Sequence, residues 1–305
     1  MVRGKGVLAV AIGAAAMPSF SETVADRPNI VLLIGDDMSS DFGCFGGPVH
    51  TPNIDRLAAG GMRFENAYVT ASSCSPSRKS IITGRYPHNH GAPELHMGLP
   101  EGQFIISQAL KDSGYCCVQA GKWDLGDYPR SSFDHIYEFE DAPDPGHEGR
   151  WVRCLQERPK DQPFFMWFAS IDSHRPWEPD PGMSSHDSAS VVIPAGVPDT
   201  PECRADLVSY YNEIQRFDCY VGKVVDELKT EGVFDNTLII LLGDNGRPFP
   251  RSKTSLYDNG MKTPLIIHWL NGPVEKGAVS DSLVSTIDLA PTILQTVGLS
   301  IPDPV

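Results

Sequence analysis

Ser72-Ser73-Cys74-Ser75-Pro76-Ser77-Arg78-Lys79-Ser80-Ile81-Ile82-Thr83-Gly84 is the stretch around which the rest of the chain makes sense. It reads as a loop running into a helix. Ser73 or Ser75 caps the first turn, and Pro76 falls where a missing N–H costs nothing. Cys74 then sits at the positive end of the helix, where an anionic oxygen or thiolate is stabilised. Arg78 follows about one turn later and faces roughly the same way. A reactive side chain, helix-terminal N–H groups and a guanidinium together make a receptor for a tetrahedral oxyanion. The plainer reading of the pair alone is a structural cysteine beside a surface arginine.

Upstream, the apolar run 29–34 ends in Gly35-Asp36-Asp37, and downstream the run 237–242 ends in Gly243-Asp244-Asn245-Gly246. Continuous apolar runs of this length suit strands buried on both faces of a parallel sheet. Further strands are expected at 115–120, 164–171 and 264–270, and helices at 51–59, 107–113, 203–230 and 288–297. In the long helix, Leu207, Tyr211, Ile214, Phe217, Val221, Val224, Val225 and Leu228 recur at helical spacing and form one apolar face. Residues 128–160 and 177–201 read as irregular surface excursions, the second at the rim of the site. Alternating strands and helices imply an α/β fold with a mainly parallel central sheet flanked by helices.

Asp36, Asp37, Asp244 and Asn245 each lie just past the end of an expected strand, the edge at which open α/β sheets bind ligands. Three carboxylates and an amide oxygen make a hard, oxygen-only site for calcium or magnesium. An isolated Asp-Asp or Asp-Asn-Gly is more commonly a turn or helix cap. Two such pairs at equivalent strand ends, together with the Cys74 stretch, favour the ion.

The 305 residues carry 25 Lys and Arg against 39 Asp and Glu, a formal net charge of −14. That balance argues against general binding to nucleic acid or anionic membrane, but not against a local basic pocket. The first residues have a short basic region, an apolar run from 6 to 17 and small residues near 25. Residues 1–25 are therefore expected to be a secretory signal peptide, and 26–305 the catalytic domain of an exported protein with no stable membrane insertion. Seven cysteines leave at least one unpaired, and sequence assigns no connectivity. Adjacent Cys116 and Cys117 fall in an expected strand and should point to opposite faces.

The string Cys-x-Pro-Ser-Arg, here Cys74 to Arg78, with Thr83-Gly84 beyond it, resembles the signature of the type I sulfatases, on the alkaline-phosphatase-like scaffold. Further family motifs follow in the family's order from about residue 27 to 299. The resemblance implies that Cys74 is oxidised to Cα-formylglycine by a formylglycine-generating or anaerobic sulfatase-maturating enzyme. It implies one divalent cation, usually calcium, on Asp36, Asp37, Asp244 and Asn245. In that family one hydroxyl of the hydrated formylglycine attacks sulfur, and loss of the other hydroxyl's proton expels the sulfate. Arg78 would orient the formylglycine, and Lys122, Lys253 and His174 would contact the sulfate of a small molecule or sulfated glycan. His88, His90 and His96 form a second histidine-rich stretch, similar to one in sulfamidase-like members that act on N-sulfated glucosamine.

Two features depart from the family pattern. Gly121-Lys122-Trp123-Asp124-Leu125-Gly126 has Asp124 where relatives commonly have histidine. The chain also stops soon after Asp288-Leu289-Ala290-Pro291-Thr292, so the small C-terminal subdomain of full-length relatives is expected to be largely missing. The expected activity is hydrolysis of sulfate esters or sulfamates. Its rivals are a phosphodiesterase or phosphonate hydrolase on the same scaffold, and an inactive homologue that binds sulfated glycans.

Overall fold

The computed structural model describes residues 27–138, 144–180, 186–303 and 305. The expected leader at 1–25 lies outside the described residues. Eight strands form one sheet: β1 (Asn29–Gly35), β2 (Met62–Tyr68), β3 (Cys116–Gly121), β4 (His135–Tyr137), β5 (Phe164–Ala169), β6 (Thr237–Gly243), β7 (Leu265–His268) and β8 (Ala278–Ser285). Their spatial order is β4-β3-β5-β1-β6-β7-β2-β8. The neighbours β4, β3, β5, β1 and β6 are all parallel, and β7 runs against both β6 and β2. The expected α/β architecture is therefore present.

The pleat explains why the central runs carry no polar alternation. Ile30, Leu32 and Ile34 of β1 enter one apolar cluster, while Val31 and Leu33 enter a second on the opposite face. Six helices cover those faces: α1 (Pro52–Gly60), α2 (Cys74–Thr83), α3 (Ile106–Asp112), α4 (Trp151–Glu157), α5 (Pro201–Thr230) and α6 (Leu289–Thr296). Apolar side chains of α2, α3 and α6 join the first cluster, and those of α1, α4 and α5 the second. Cys117 lies in the first cluster and Cys116 in the second, so the adjacent thiols do point apart. All seven cysteines are free.

Several elements correct the sequence reading. β2 and β8 were not expected. Arg63 and Glu65 interrupt the apolar run of β2, and β8 is an edge strand that leaves Val279 and Leu283 exposed. The supposed irregular stretch 128–160 contains β4 and α4, the latter anchored by the fully buried Trp151. β7 is antiparallel, a direction that an apolar tetrapeptide cannot reveal. Neither Ser73 nor Ser75 caps α2 through its side chain; the Ser75 hydroxyl instead donates to the main-chain carbonyl of Asp124 at 3.3 Å.

Candidate active site

Four parallel neighbours deliver the site. β1 and β6 pair in register through Gly35 and Gly243, so the next residues on each, Asp36-Asp37 and Asp244-Asn245, emerge side by side. β3 pairs with β5 through Gly121 and Ala169, which sets Lys122 beside the loop carrying His174. Gly121 is required there: it has φ +98°, and a Cβ would stand 1.9 Å from the Ala169 carbonyl. The 172–174 loop is tied to β1 by two main-chain bonds, Asp36 N–H to the Asp172 carbonyl and Ser173 N–H to the Asp36 carbonyl, each 2.7 Å.

Asp36, Asp37 and Asp244 are fully buried, and each offers a carboxylate oxygen within 4.8 Å of the others. Around them stand three cations. Arg78 Nε donates to Asp244 Oδ2 at 2.8 Å, with both side chains inaccessible to solvent. Lys122 pairs with Asp36 and, at 3.3 Å, with Asp124. Lys253 lies 2.7 Å from Asp37 Oδ1, which also accepts from Asn245 Nδ2 at 2.7 Å. The surface-arginine reading of Arg78 is thereby overturned. All ten residues of α2 are buried, Cys74 at its first position.

The charges do not balance evenly. Burial raises the Asp36 pKa, but Lys122 and Arg78 outweigh it and hold the carboxyl well below the usual range. Burial and the neighbouring Asp36 push Asp37 up to about 8, and the same two causes push Asp244 to about 6. Buried Asp36 Oδ1 and Asn245 Oδ1 have no hydrogen-bond partner among the described residues. Orphaned oxygens and like-charged carboxyls resisting ionisation are what a site built for a cation leaves when considered without one. The oxygen-only donor set thus fits a hard divalent ion.

Asp124 has φ +53°, a left-handed conformation uncommon outside glycine, and its side chain is partly buried. Burial would raise its pKa, yet Lys122 and Arg78 lower it, so it is ionised at neutral pH. Burial pushes the Cys74 thiol up to about 12, helped by Asp36. Burial also lowers His174, whose Nδ1 donates to the Arg175 carbonyl. Cys74, Arg78, Lys122, Asp124, His174 and Lys253 are thus gathered around the three carboxylates.

The second histidine stretch stands apart. His90 is buried against Ser80 (3.3 Å) and accepts from the Ala92 N–H, while His88 and His96 are exposed. Sequence reading assigned nothing to Lys79. Its side chain is buried, and Nζ bonds the Ser75 hydroxyl and, at 2.9 Å, the Asp124 carbonyl. A lysine on a wholly buried helix would have been the signal. The pair formed by Asp172 and Arg216, with Nε to Oδ2 at 2.7 Å, was also missed; it anchors the loop bonded to Asp36.

A family model described as Sulfatase matches residues 28–299. Over 314 residues the chain is 34% identical to the N-sulphoglucosamine sulphohydrolase of Homo sapiens, covering 91% of this chain and 62% of that protein. It is 30% identical to the ulvan-active sulfatase of Formosa agariphila, covering 90% of this chain and 52% of that protein. The chain therefore spans between about half and two thirds of these relatives' lengths. The crystal structure of Ps i-CgsB superimposes with a TM-score of 0.76 at 27% identity, over 91% of this chain and 73% of that one.

Proposed function

Because this chain belongs to the sulfatase family, we propose that it hydrolyses sulfate esters or N-sulfamates on a sulfated carbohydrate. The observation that carries the reading is the convergence of Cys74, at the buried start of α2, with three carboxylates and with Arg78, Lys122 and Lys253. Residues 26–305 form its catalytic domain, and the protein is exported. No helix among the described residues is long and apolar enough to cross a membrane.

Asp36, Asp37, Asp244 and Asn245 would hold the cation, calcium by preference, which when bound polarises sulfate oxygens. Cys74, converted to Cα-formylglycine, supplies a hydroxyl nucleophile in place of a thiol that stays protonated at neutral pH. The remaining work belongs to the chain. Arg78, fixed by Asp244, orients residue 74 and brings positive charge to the site. Lys122, paired with Asp36, and Lys253, paired with Asp37, meet the sulfate's charge. Asp124 accepts a hydrogen bond from residue 74 and tempers Lys122. In neutral His174, Nδ1–H is committed to Arg175, which leaves Nε2 as an acceptor. His174 therefore donates to sulfate only when protonated, below its lowered pKa.

The test is peptide mass spectrometry across Cys74 beside turnover of an aryl sulfate and an aryl phosphodiester. Formylglycine-containing protein should favour the sulfate, and Cys74→Ala should be inactive. Multiple turnover from protein with only unmodified cysteine would sink the mechanism, and preference for the phosphodiester would sink the substrate class.

A further inference from the structure

Beside the site, Ala195, Gly196, Arg251, Leu256, Tyr257, Asp258 and Asn259 line an open cleft of about 550 Å³. Its floor is the segment that continues from Lys253. That segment is held on one side by Lys253 at Asp37, and on the other by Thr254 N–H donating to the Ser72 carbonyl at 2.8 Å. Ser72 also donates through its hydroxyl to the Gly260 carbonyl at 2.9 Å, two residues before Cys74. Leu256 is three residues from Lys253, so their Cα atoms are at most about 11 Å apart.

The lining is unusual for a plain solvent-facing loop. Leu256 is 90% exposed and Tyr257 60% exposed, although both are large and apolar. Arg247 is paired with Asp41 at 3.3 Å and Lys253 with Asp37 at 2.7 Å, but Arg251 between them has no carboxylate partner among the described residues. Its Cδ lies over Gly196, 3.4 Å from where a Cβ would stand. Arg251 and Thr254 both hold left-handed backbone, at φ +61° and +66°. Non-glycine residues in that region cost energy and gather where a side chain must be aimed.

We propose that this cleft receives the sugar adjoining the sulfated one. Tyr257 and Leu256 lie under its apolar face, Asp258 and Asn259 bond its hydroxyls, and Arg251 meets a carboxylate or sulfate that it carries. The chemistry selects this occupant: an aromatic face, a guanidinium with no carboxylate partner among the described residues, an amide, and a carboxylate that accepts from hydroxyls suit a hydroxylated ring whose anionic group is turned to Arg251. Asp258 already accepts from the Tyr68 hydroxyl at 3.5 Å, but an apolar ligand would leave the Arg251 guanidinium and the Asn259 amide desolvated without partners. The inference rests on the sulfated-carbohydrate reading and narrows it to an anionic saccharide of at least two units.

Calorimetry on the non-reacting Cys74→Ala protein tests it with two probes, N-sulfated glucosamine and a heparin-derived disaccharide of N-sulfated glucosamine and uronic acid. The disaccharide should bind more tightly. Arg251→Gln and Tyr257→Ala should each weaken disaccharide affinity by about tenfold, the loss of one good contact, with the monosaccharide changed less than about twofold. Both variants lie on an exposed segment, and neither touches the carboxylate cluster. Equal affinity for the two sugars, failure of both to bind, or a disaccharide affinity unmoved by both substitutions overturns the cleft's assignment. A converted wild-type enzyme that hydrolyses no sulfate would sink the functional reading separately, because the calorimetry needs no turnover.

Discussion

Lys79 Nζ donates a 2.9 Å hydrogen bond to the main-chain carbonyl of Asp124, across 45 residues of sequence. It holds the one site residue that departs from the family pattern in its left-handed conformation. Lys79 has no carboxylate of its own within bonding distance among the described residues, so its charge is carried by carbonyl and hydroxyl oxygens alone.

That arrangement sets a pH dependence. Burial lowers the Lys79 pKa to about 8, below its value in the unfolded chain. Between about pH 8 and the ordinary lysine value near 10.4 the unfolded chain binds more protons, so stability contributed by this residue rises with pH. The slope is bounded by about 1.4 kcal/mol per pH unit for one proton. Wild-type stability in urea should therefore gain on that of Lys79→Met from pH 7.5 to pH 10. Parallel pH profiles for the two proteins would contradict the assignment.

Cation binding should release protons. At pH 6.5 the Asp37 carboxyl, pushed up to about 8, and part of Asp244, at about 6, carry protons that a divalent ion must displace. Affinity should therefore climb with pH up to about 8. Calorimetry in buffers of different ionisation heat should reveal on the order of one proton released per ion. Asp244→Ala should lose measurable calcium binding, and chelation should stop turnover without unfolding the chain. Calcium affinity unchanged in Asp244→Ala would mean the ion binds elsewhere.

Asp124 is ionised across the neutral range and lies 3.3 Å from Lys122, so under the proposed function it would be a weak base and would repel the sulfate. Turnover on simple aryl sulfates should be slow, with an optimum below neutrality where His174 becomes protonated. Asp124→His should raise the rate, since histidine also tolerates left-handed backbone better than most residues. A pH–rate series on both forms at equal formylglycine content is the measurement. Inactivity of both Asp124→His and Asp124→Asn would give the aspartate a role of its own in substrate recognition.

Legibility tracked the distance over which a residue's partner lies. Asp36, Asp37, Asp244 and Asn245 could be placed because each ends an apolar run, and β1 and β6 then pair strand end to strand end. Cys74 and Arg78 share one helix, so their proximity is local. Lys79 was passed over because its partner is a main-chain carbonyl beyond β3, and Asp172 because Arg216 comes 44 residues later on α5. β8 escaped for a different reason: as an edge strand it turns Val279 and Leu283 outward, which reverses the usual pattern of burial. His90 carries the opposite lesson, since a suggestive residue type proved to be packed against Ser80.

Cys74 is 3% exposed, and every residue of the helix it begins is buried. In the finished protein that sulfur is out of reach of any second macromolecule that must grip the Ser72–Gly84 stretch to alter it. Under the proposed mechanism, conversion would therefore have to come while the chain is still extended, and docking of α2 would close the opportunity. A molecule that folds first keeps its thiol, with almost no thiolate at neutral pH, for the rest of its lifetime. On that reading, folding speed and the supply of a converting enzyme would compete, and the fraction of competent protein would be set by which comes first.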